Sequence, residues 1–227
     1  AYRLRTLFGF QPRLAPELGY GKAVHHVMRM VAEHTKHSGS VPTESEIDDL
    51  LDGSFFLPLA NKPAHRQLKA AARRLVTSYA ANHPDDLYRV WETERPFELH
   101  LDGVVVSGRA DVILDREGGV ETALAIVDYK TSVSNDADHA LQIQVYADAG
   151  RREGLDVRGA YVHDLRAGSQ GEPGARQRVA IGPDKVAAAE TQVLGAAERI
   201  RAKDFTPSPG PACRRCEVRT VCGAAER

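Results

Sequence analysis

Apolar residues recur at helical intervals through the first third of the chain and at strand-like intervals afterwards. The first helical stripe consists of Val24, Val27, Met28 and Val31, spaced by three and four residues. Residues 1 to about 37 are therefore predicted to be largely helical, with a break around Gly19. Thr43 and Glu46 form a capping-box pattern that begins a short helix, and residues 61–82 form a longer one.

The pattern becomes that of β-structure from residue 88 onward. Strands are predicted at 88–101, 104–114 and 123–130, with Asp102 and Gly103 as a hairpin turn between the first two. The third strand is apolar on both faces, which indicates a central position in a sheet. A helix at 136–153, strands at 161–165 and 177–181, and a helix at 184–203 follow. This order predicts a mixed α/β domain with antiparallel hairpins at its centre.

The composition is that of an ordinary globular protein. The chain has 227 residues, 42% hydrophobic and 27% charged, enough for one sizeable core with or without a small appendage. No apolar run approaches the roughly 20 residues that cross a bilayer and no signal-peptide pattern is present, so no membrane partner is expected. The net charge of -1 favours no class of partner. Because the chain starts with Ala1, we expect a fragment of a longer protein.

The candidate chemistry centres on the third strand. Asp128 and Lys130 share one strand face because side chains alternate, and both follow apolar, buried positions. Asp111, late in the second strand, places another carboxylate beside Asp128. Two adjacent carboxylates repel, and a hard divalent cation with oxygen ligands removes that repulsion. The alternatives are a simple Asp128–Lys130 ion pair and an Asp111–Arg109 pair.

Three other side chains are candidates for the same site. His25 lies on the first helix, where a lone histidine is more often a packing residue than a ligand. Gln142 and Tyr146 are four residues apart and share one face of the helix after the third strand. They either reach the site or form a buried hydrogen-bonded pair. Glu94, in the first strand, is a weaker candidate for a supporting role.

The three cysteines of the chain lie within its last 15 residues. Cys213, Cys216 and Cys222 have the spacing of metal ligands, whereas a disulfide framework would be spread along the chain. We therefore expect a reducing, cytoplasmic compartment. Zinc and iron–sulfur sites normally use four ligands, so the fourth must come from elsewhere. The alternative is a tail with three free thiols.

The order of these motifs resembles the RecB-like branch of the PD-(D/E)XK nuclease superfamily. The matching segments are Gly21-Lys22-Ala23-Val24-His25, Gly108-Arg109-Ala110-Asp111, Asp128-Tyr129-Lys130-Thr131 and Gln142-Ile143-Gln144-Val145-Tyr146. Each motif is weak alone, but four in the family's order are strong. The resemblance implies a restriction-endonuclease-like core with a mixed sheet at residues 86–206, an N-terminal helical region at 1–85 and a cysteine tail at 207–227, all forming one integrated domain.

The resemblance also implies roles. His25, Asp111, Asp128 and the backbone carbonyl of Tyr129 would hold Mg²⁺ or Mn²⁺. Lys130 would orient the attacking water and stabilise developing charge, with Gln142 and Tyr146 as further catalytic residues. The metal would lower the pKa of its water and polarise the phosphate.

The cysteine tail is similar to that of iron–sulfur nucleases of the Cas4 and AddB kind. Three C-terminal cysteines and one upstream cysteine hold a [4Fe–4S] cluster there. The resemblance thus implies a cluster whose fourth ligand lies before residue 1, acting as a staple between the chain's ends.

Three functions remain open at this point. The first is a DNA nuclease acting on single-stranded ends during double-strand-break repair or recombination. It would be the C-terminal module of a chain with a UvrD-like helicase, a partner of another helicase–nuclease subunit, or a free-standing nuclease. The second is a non-catalytic DNA-binding or scaffold module of the same fold, which should have lost Asp111, Asp128 or Lys130. The third, a zinc-binding interaction domain, leaves the upstream motifs unexplained.

Overall fold

The computed structural model describes residues 3–10, 15–131, 136–166, 175–210, 213–214, 216 and 218–224. Its helices are α1 (Tyr20–Ser38), α2 (Glu44–Ser54), α3 (Lys62–Asn82), α4 (Pro84–Tyr88), α5 (Asp136–Arg152) and α6 (Pro183–Arg201). Its strands are β1 (Val90–Leu101), β2 (Val104–Leu114), β3 (Leu124–Lys130), β4 (Val157–Asp164) and β5 (Ala175–Arg178). A π-helical turn at Arg3–Leu7 and 3₁₀ turns at Glu117–Gly119 and Arg219–Val221 complete the elements.

The sheet is mixed and keeps its strands in chain order. Within the described residues it has five strands in the order β1-β2-β3-β4-β5. Only β3 and β4 pair in parallel, because α5 carries the chain back over the sheet between them. The other neighbours are antiparallel. The predicted α/β class and the central position of β3 are both confirmed, and the fold is restriction-endonuclease-like.

Helices cover both faces of the sheet. On one face the first four helices enclose a core that includes Val24 of α1 and Val127 of β3. On the other face α5 packs Ile143 against Ile126 of β3, and α6 adds Val193. Because β3 is buried on both sides, its sequence is a continuous apolar run that ends at Asp128.

Local signals set most element ends. The capping box at the start of α2 forms as predicted, with the Thr43 hydroxyl accepting the Glu46 N–H and the Glu46 carboxylate accepting the Thr43 N–H. α1 ends at Gly39, whose φ of 72° lies in the left-handed region that glycine adopts without strain. Asp102 and Gly103, with φ of 40° and 74°, form the predicted β1–β2 turn.

Several predicted element bounds were wrong. Residue 88 is not in the first strand, because Pro84 begins a short helix that ends at Tyr88. The fourth strand starts at Val157 rather than 161, and the fifth covers Ala175–Arg178 rather than 177–181. On α5, Ala140 and Leu141 are only half-buried, while Ile143 and Ala147 are fully buried. The sheet and α6 both pack against this helix, so its buried side is wider than a single stripe.

A buried polar network holds β3 against the helical layer. Tyr129 donates to the Tyr79 hydroxyl (3.0 Å), and Tyr79 donates to Asp86 (3.1 Å). Arg176 of β5 pairs with the same Asp86 and donates to His163 Nδ1 at 3.3 Å. Burial, then the charge of Arg176, lowers the pKa of His163 to about 3, so this imidazole stays neutral and can accept that hydrogen bond.

Within the described part of the chain, none of the helices is both long and apolar enough to cross a bilayer.

Removing the carboxylate of Asp86 should destabilise the fold strongly. The Asp86→Ala variant leaves the half-buried Arg176 guanidinium and the buried Tyr79 hydroxyl without their carboxylate partner, so the free energy of unfolding should fall by about 3 kcal/mol. Urea denaturation followed by circular dichroism measures the change. Asp156→Ala is the matched control, because Asp156 pairs with Arg158 at an exposed position and should leave stability near that of wild type. Equal losses in both variants would contradict the role of the buried pair.

Candidate active site at a fork between two strands

The candidate site lies where β2 and β3 stop pairing. Their ladder consists of Leu114↔Ala125, Ile113↔Ile126 and Val112↔Val127. The next pair in this register is Asp111 and Asp128, and these two are no longer ladder partners. Beyond them β2 continues with β1, while β3 continues with β4 as far as Lys130. The two aspartates therefore stand on either side of a fork in the sheet.

The Asp111 carboxylate makes two contacts at the point where the β2–β3 ladder ends. Its Oδ2 accepts the backbone N–H of Tyr129 at 2.7 Å, and its Oδ1 lies 3.0 Å from Nδ1 of His25. Burial lowers the pKa of His25, but the hydrogen bond and charge of Asp111 outweigh that effect and leave the pKa above its ordinary value. The Asp111–Arg109 alternative does not form, because the Arg109 guanidinium lies 3.6 Å from Glu94 instead.

Asp128 is a buried carboxylate, with only 3% of its surface exposed. Burial, followed by the nearby charge of Asp111, raises its pKa, and the ammonium of Lys130 partly opposes this. The Lys130 Nζ lies 2.5 Å from Asp128 Oδ2 as an ion-pair partner, yet within the described structure no directed hydrogen bond reaches that oxygen. A carboxylate has about four lone-pair sites, so Asp128 can accept the Lys130 ammonium and a cation together.

The chemistry of the donors fits a hard divalent cation. Asp111 and Asp128 supply carboxylate oxygens, the Tyr129 backbone supplies a carbonyl and His25 supplies an imidazole nitrogen. Mg²⁺ and Mn²⁺ favour such oxygen-rich sets. In the described residues the side chains are not drawn together as a ready-made cage of three or more His, Cys, Asp or Glu ligands. The His25–Asp111 contact must therefore open or shift when a cation enters.

A second chain of hydrogen bonds closes the other side of the fork. Lys130 donates to Gln142 Oε1 at 3.2 Å, and Gln142 donates to the Tyr146 hydroxyl at 2.9 Å. The same hydroxyl accepts the backbone N–H of Arg109 at 3.2 Å, a group of β2 beyond the last ladder pair with β3. The predicted pair on α5 is thus both hydrogen-bonded internally and joined to Lys130.

Two glycines of the motifs, Gly108 and Gly21, let neighbouring side chains come close to the backbone. A Cβ on Gly108 would lie 2.3 Å from Cε1 of Tyr146, so only glycine lets the phenol cross β2 at this point. A Cβ on Gly21 would lie 3.1 Å from the Thr131 hydroxyl, where α1 meets the end of β3. Close packing therefore explains why each of these two motifs contains a glycine.

A cavity of about 640 Å³ adjoins the fork between α1 and the β1–β2 hairpin. Its lining includes His25 and Asp111 together with Lys22, His26, Arg29, Glu33, Thr93, Glu94 and Arg109. Glu94 has a φ of 50° inside a strand, a strained conformation for a residue with a side chain that costs about 1–3 kcal/mol. The sequence interpretation missed Lys22 and Arg29. Their seven-residue spacing on α1, on the same side as His25, was the available signal.

The three cysteines border one small cavity in the tail. Cys213, Cys216 and Cys222 all line a space of about 190 Å³, together with Val218 and the Pro207–Pro209 segment. No disulfide joins them. Across the residues that the structure describes, these thiols are not assembled as a metal-binding group. A larger cavity of about 720 Å³ separates the tail from the turn at Arg3–Leu7 and from α6.

The fork combines two facing carboxylates with a lysine two residues after one of them, at the end of a central strand of a mixed sheet. Such a set of groups can hold a divalent cation and stabilise the negative charge of a phosphodiester under attack. The chain belongs to the PD-(D/E)XK nuclease superfamily, whose family model matches residues 1–223.

Three solved structures are similar to this chain, and the first of them shares its fold at low sequence identity. A candidate exonuclease from Eubacterium rectale aligns with 100% of this chain and 82% of its own, with a TM-score of 0.53 and 15% identity. SSO0001 aligns over 89% of this chain and 85% of its own at a TM-score of 0.40 and 17% identity. VC1899 from Vibrio cholerae aligns over 78% and 51% at a TM-score of 0.30 and 17% identity. The comparison with curated proteins gives no match.

Divalent metal should stabilise the folded protein through the fork. A ligand that binds only the folded state at a hundred times its dissociation constant adds about 2.7 kcal/mol, so millimolar Mn²⁺ should raise the melting temperature of wild type by several degrees. Asp128→Asn should lose most of that increase, since it removes one anionic ligand from the pair. Differential scanning fluorimetry with and without Mn²⁺ measures both.

The matched control for this measurement is Asp156→Asn, an exposed carboxylate at the opposite end of the sheet. It should keep the full Mn²⁺-dependent increase. An equal increase in wild type and Asp128→Asn would show that Mn²⁺ binds elsewhere.

Proposed function

We propose that this nuclease is a divalent-metal-dependent deoxyribonuclease that hydrolyses phosphodiester bonds at single-stranded ends. The observation that carries the proposal is the fork itself, where a buried Asp128 with a raised pKa faces Asp111 and His25 on one side and Lys130 on the other. A buried pair of carboxylates is unstable unless a positive charge joins it. Lys130 supplies one such charge, and the remaining donors suit a metal ion.

In this proposal His25, Asp111, Asp128 and the Tyr129 carbonyl hold Mg²⁺ or Mn²⁺. The bound cation would supply Lewis-acid polarisation of the phosphate and a water of lowered pKa. Asp111 is anchored for this task by the Tyr129 N–H, which fixes one carboxylate oxygen and leaves the other directed at His25. The ligands therefore come from two strands and one helix that pack into a single rigid core.

Lys130 has the position expected of a group that orients water and stabilises developing negative charge. Its ammonium is held between Asp128 at 2.5 Å and the Gln142 amide oxygen at 3.2 Å. Gln142 is in turn fixed by Tyr146, so the lysine has little freedom to leave the site. A preorganised ammonium of this kind stabilises the transition state without having to reorient during the reaction.

We further propose that the chain is of the RecB-like branch and works beside a helicase in double-strand-break repair or recombination. The support is the order of the four motifs along the chain and the assembly of their side chains at one fork. A scaffold module of the same fold should have lost Asp111, Asp128 or Lys130, and this sequence has all three.

The proposed activity is tested with end-labelled single-stranded DNA and Mg²⁺ or Mn²⁺. Wild type should cleave it, and Asp128→Ala and Lys130→Ala should each reduce the rate by on the order of 10²–10³-fold, because each removes charge stabilisation of the transition state. Chelation with EDTA should abolish cleavage. Asp156→Ala serves as the control and should cleave like wild type.

Two outcomes of this assay would contradict the proposal. If the protein binds DNA but neither cation supports cleavage, also with the preceding residues and a partner subunit present, the domain is a scaffold module. If Asp128→Ala and Lys130→Ala cleave as fast as wild type, the catalytic residues lie elsewhere.

We also propose that Cys213, Cys216 and Cys222 ligate a [4Fe–4S] cluster whose fourth ligand is a cysteine outside these 227 residues. The support is that all three thiols line one cavity in the tail, while a larger cavity separates this tail from the turn at Arg3–Leu7. Three thiolates leave one cluster position open. The cluster would act as a staple between the two ends, since hydrolysis needs no electron transfer.

The cluster proposal predicts the colour and metal content of the protein. A chain that carries the proposed fourth cysteine, purified without oxygen, should be brown and contain iron and sulfide. Cys216→Ser should be colourless and melt at a lower temperature. A colourless wild-type chain that contains zinc would contradict the cluster.

A further inference from the structure

The cavity beside the fork has a polar lining that the proposed metal site does not use. One wall is α1, where Lys22, His26 and Arg29 follow each other at spacings of four and three residues and so share a face. The other wall is the β1–β2 hairpin, with Glu94 and Arg109. His25 and Asp111 belong to the same lining, so the space is continuous with the proposed metal site.

The cations of this cavity differ in how firmly they are held. Arg29 is fixed by Glu33 at 2.8 Å and by His26 at 3.2 Å. Lys22 is exposed and has no ion-pair partner among the described residues. Arg109 has 62% of its side chain exposed and only a long 3.6 Å contact with Glu94. Lys22 and Arg109 can therefore bind a ligand without breaking a short ion pair.

The β1–β2 wall of the cavity has an irregular backbone at Glu94. Thr93 pairs with Val112 and Arg95 pairs with Ala110, so Glu94 lies across from Asp111 in this register. The Glu94–Asp111 pair itself is missing from the ladder, and Glu94 has a φ of 50°. This left-handed residue faces the proposed metal ligand across the strand pair and brings its carboxylate to the Arg109 guanidinium. Strain of this kind is typical of functional sites.

We propose that this cavity is the subsite for the nucleotides next to the scissile phosphodiester, with Lys22, Arg29 and Arg109 contacting the backbone phosphates of a single DNA strand. The inference rests on the proposed function, because it takes the fork as the reacting centre. A volume of about 640 Å³ is in the range of ligand pockets, roughly 300–1,000 Å³. Lys22 and Arg29 are about 10 Å apart along α1, which spans more than one nucleotide of an extended strand.

The proposed contacts carry charge but no base recognition. Lys22 and Arg109 meet phosphates, whereas Glu94 competes for Arg109 and must release it when a phosphate arrives. The subsite should therefore bind strands irrespective of sequence and depend steeply on salt. Neutralising Glu94 should strengthen binding, because Arg109 is then free before the strand arrives.

The test measures binding, so it does not depend on cleavage. Fluorescence anisotropy of a labelled single-stranded oligonucleotide in EDTA should give about 5- to 10-fold weaker binding for Lys22→Ala and for Arg109→Ala. The slope of log affinity against log salt should become shallower by about 0.7 for each phosphate that a variant no longer neutralises. Lys22→Arg keeps the positive charge and should therefore retain most of the wild-type affinity and salt slope. Glu94→Gln should bind several-fold more tightly than wild type.

Two matched controls carry the same charge changes at the other end of the sheet. Arg158→Ala lies at the start of β4, and Glu121→Gln lies in the β2–β3 connection, both remote from the fork in the strand topology. Both should bind like wild type, which shows that the effects are local rather than a result of net charge.

The outcomes separate this subsite from the proposed function. The subsite is wrong if Lys22→Ala and Arg109→Ala bind with the affinity and salt slope of wild type. It is also wrong if Arg158→Ala loses as much affinity as they do, or if Glu121→Gln gains as much as Glu94→Gln. The subsite is then wrong whether or not the protein cleaves DNA. If the variants weaken binding as predicted but no metal supports cleavage, the cavity stands as a binding site for a single DNA strand and the nuclease proposal fails.

Discussion

The arrangement of the site depends on the separation of β2 and β3 at two facing aspartates. Continued pairing would bring Asp111 and Asp128 together in the ladder, where two buried carboxylates repel each other. Opening the sheet at that point leaves space between the carboxylates. It also leaves Asp128 with a raised pKa, caused first by burial and then by Asp111, and only Lys130 beside it. The negative charge of the fork is therefore not fully balanced, and in our proposal a divalent cation balances it.

A fork also frees backbone groups that a continuous sheet would pair, and unpaired backbone groups are unfavourable inside a protein. The site side chains meet this need. Asp111 accepts the Tyr129 N–H, and Tyr146 accepts the Arg109 N–H. Gly108 lets the phenol come close enough to do so. The residues proposed for catalysis are thus also the ones that make the opening stable, which explains why the motifs combine glycine, acid and phenol.

Sequence periodicity, a local property, predicted the long helices and the central strand. The resemblance in motif order predicted which residues lie near one another at the fork. Neither predicted that Asp111 accepts a backbone N–H or that Arg109 faces Glu94, since both depend on where β2 and β3 part. The left-handed Glu94 was also invisible, because its residue type gives no sign of positive φ. The buried Asp86–Arg176 pair joins residues 90 positions apart, and no local pattern indicates such a contact.

The central claim is that Asp111 and Asp128 share one divalent cation, and anomalous diffraction from crystals grown with Mn²⁺ tests it most directly. We predict an anomalous peak between the two carboxylates, in contact with Asp128 and within reach of His25 and the Tyr129 carbonyl. The His25–Asp111 contact of 3.0 Å should be changed in that crystal. A well-ordered, empty fork at saturating Mn²⁺, or a peak only at other residues, would contradict the account.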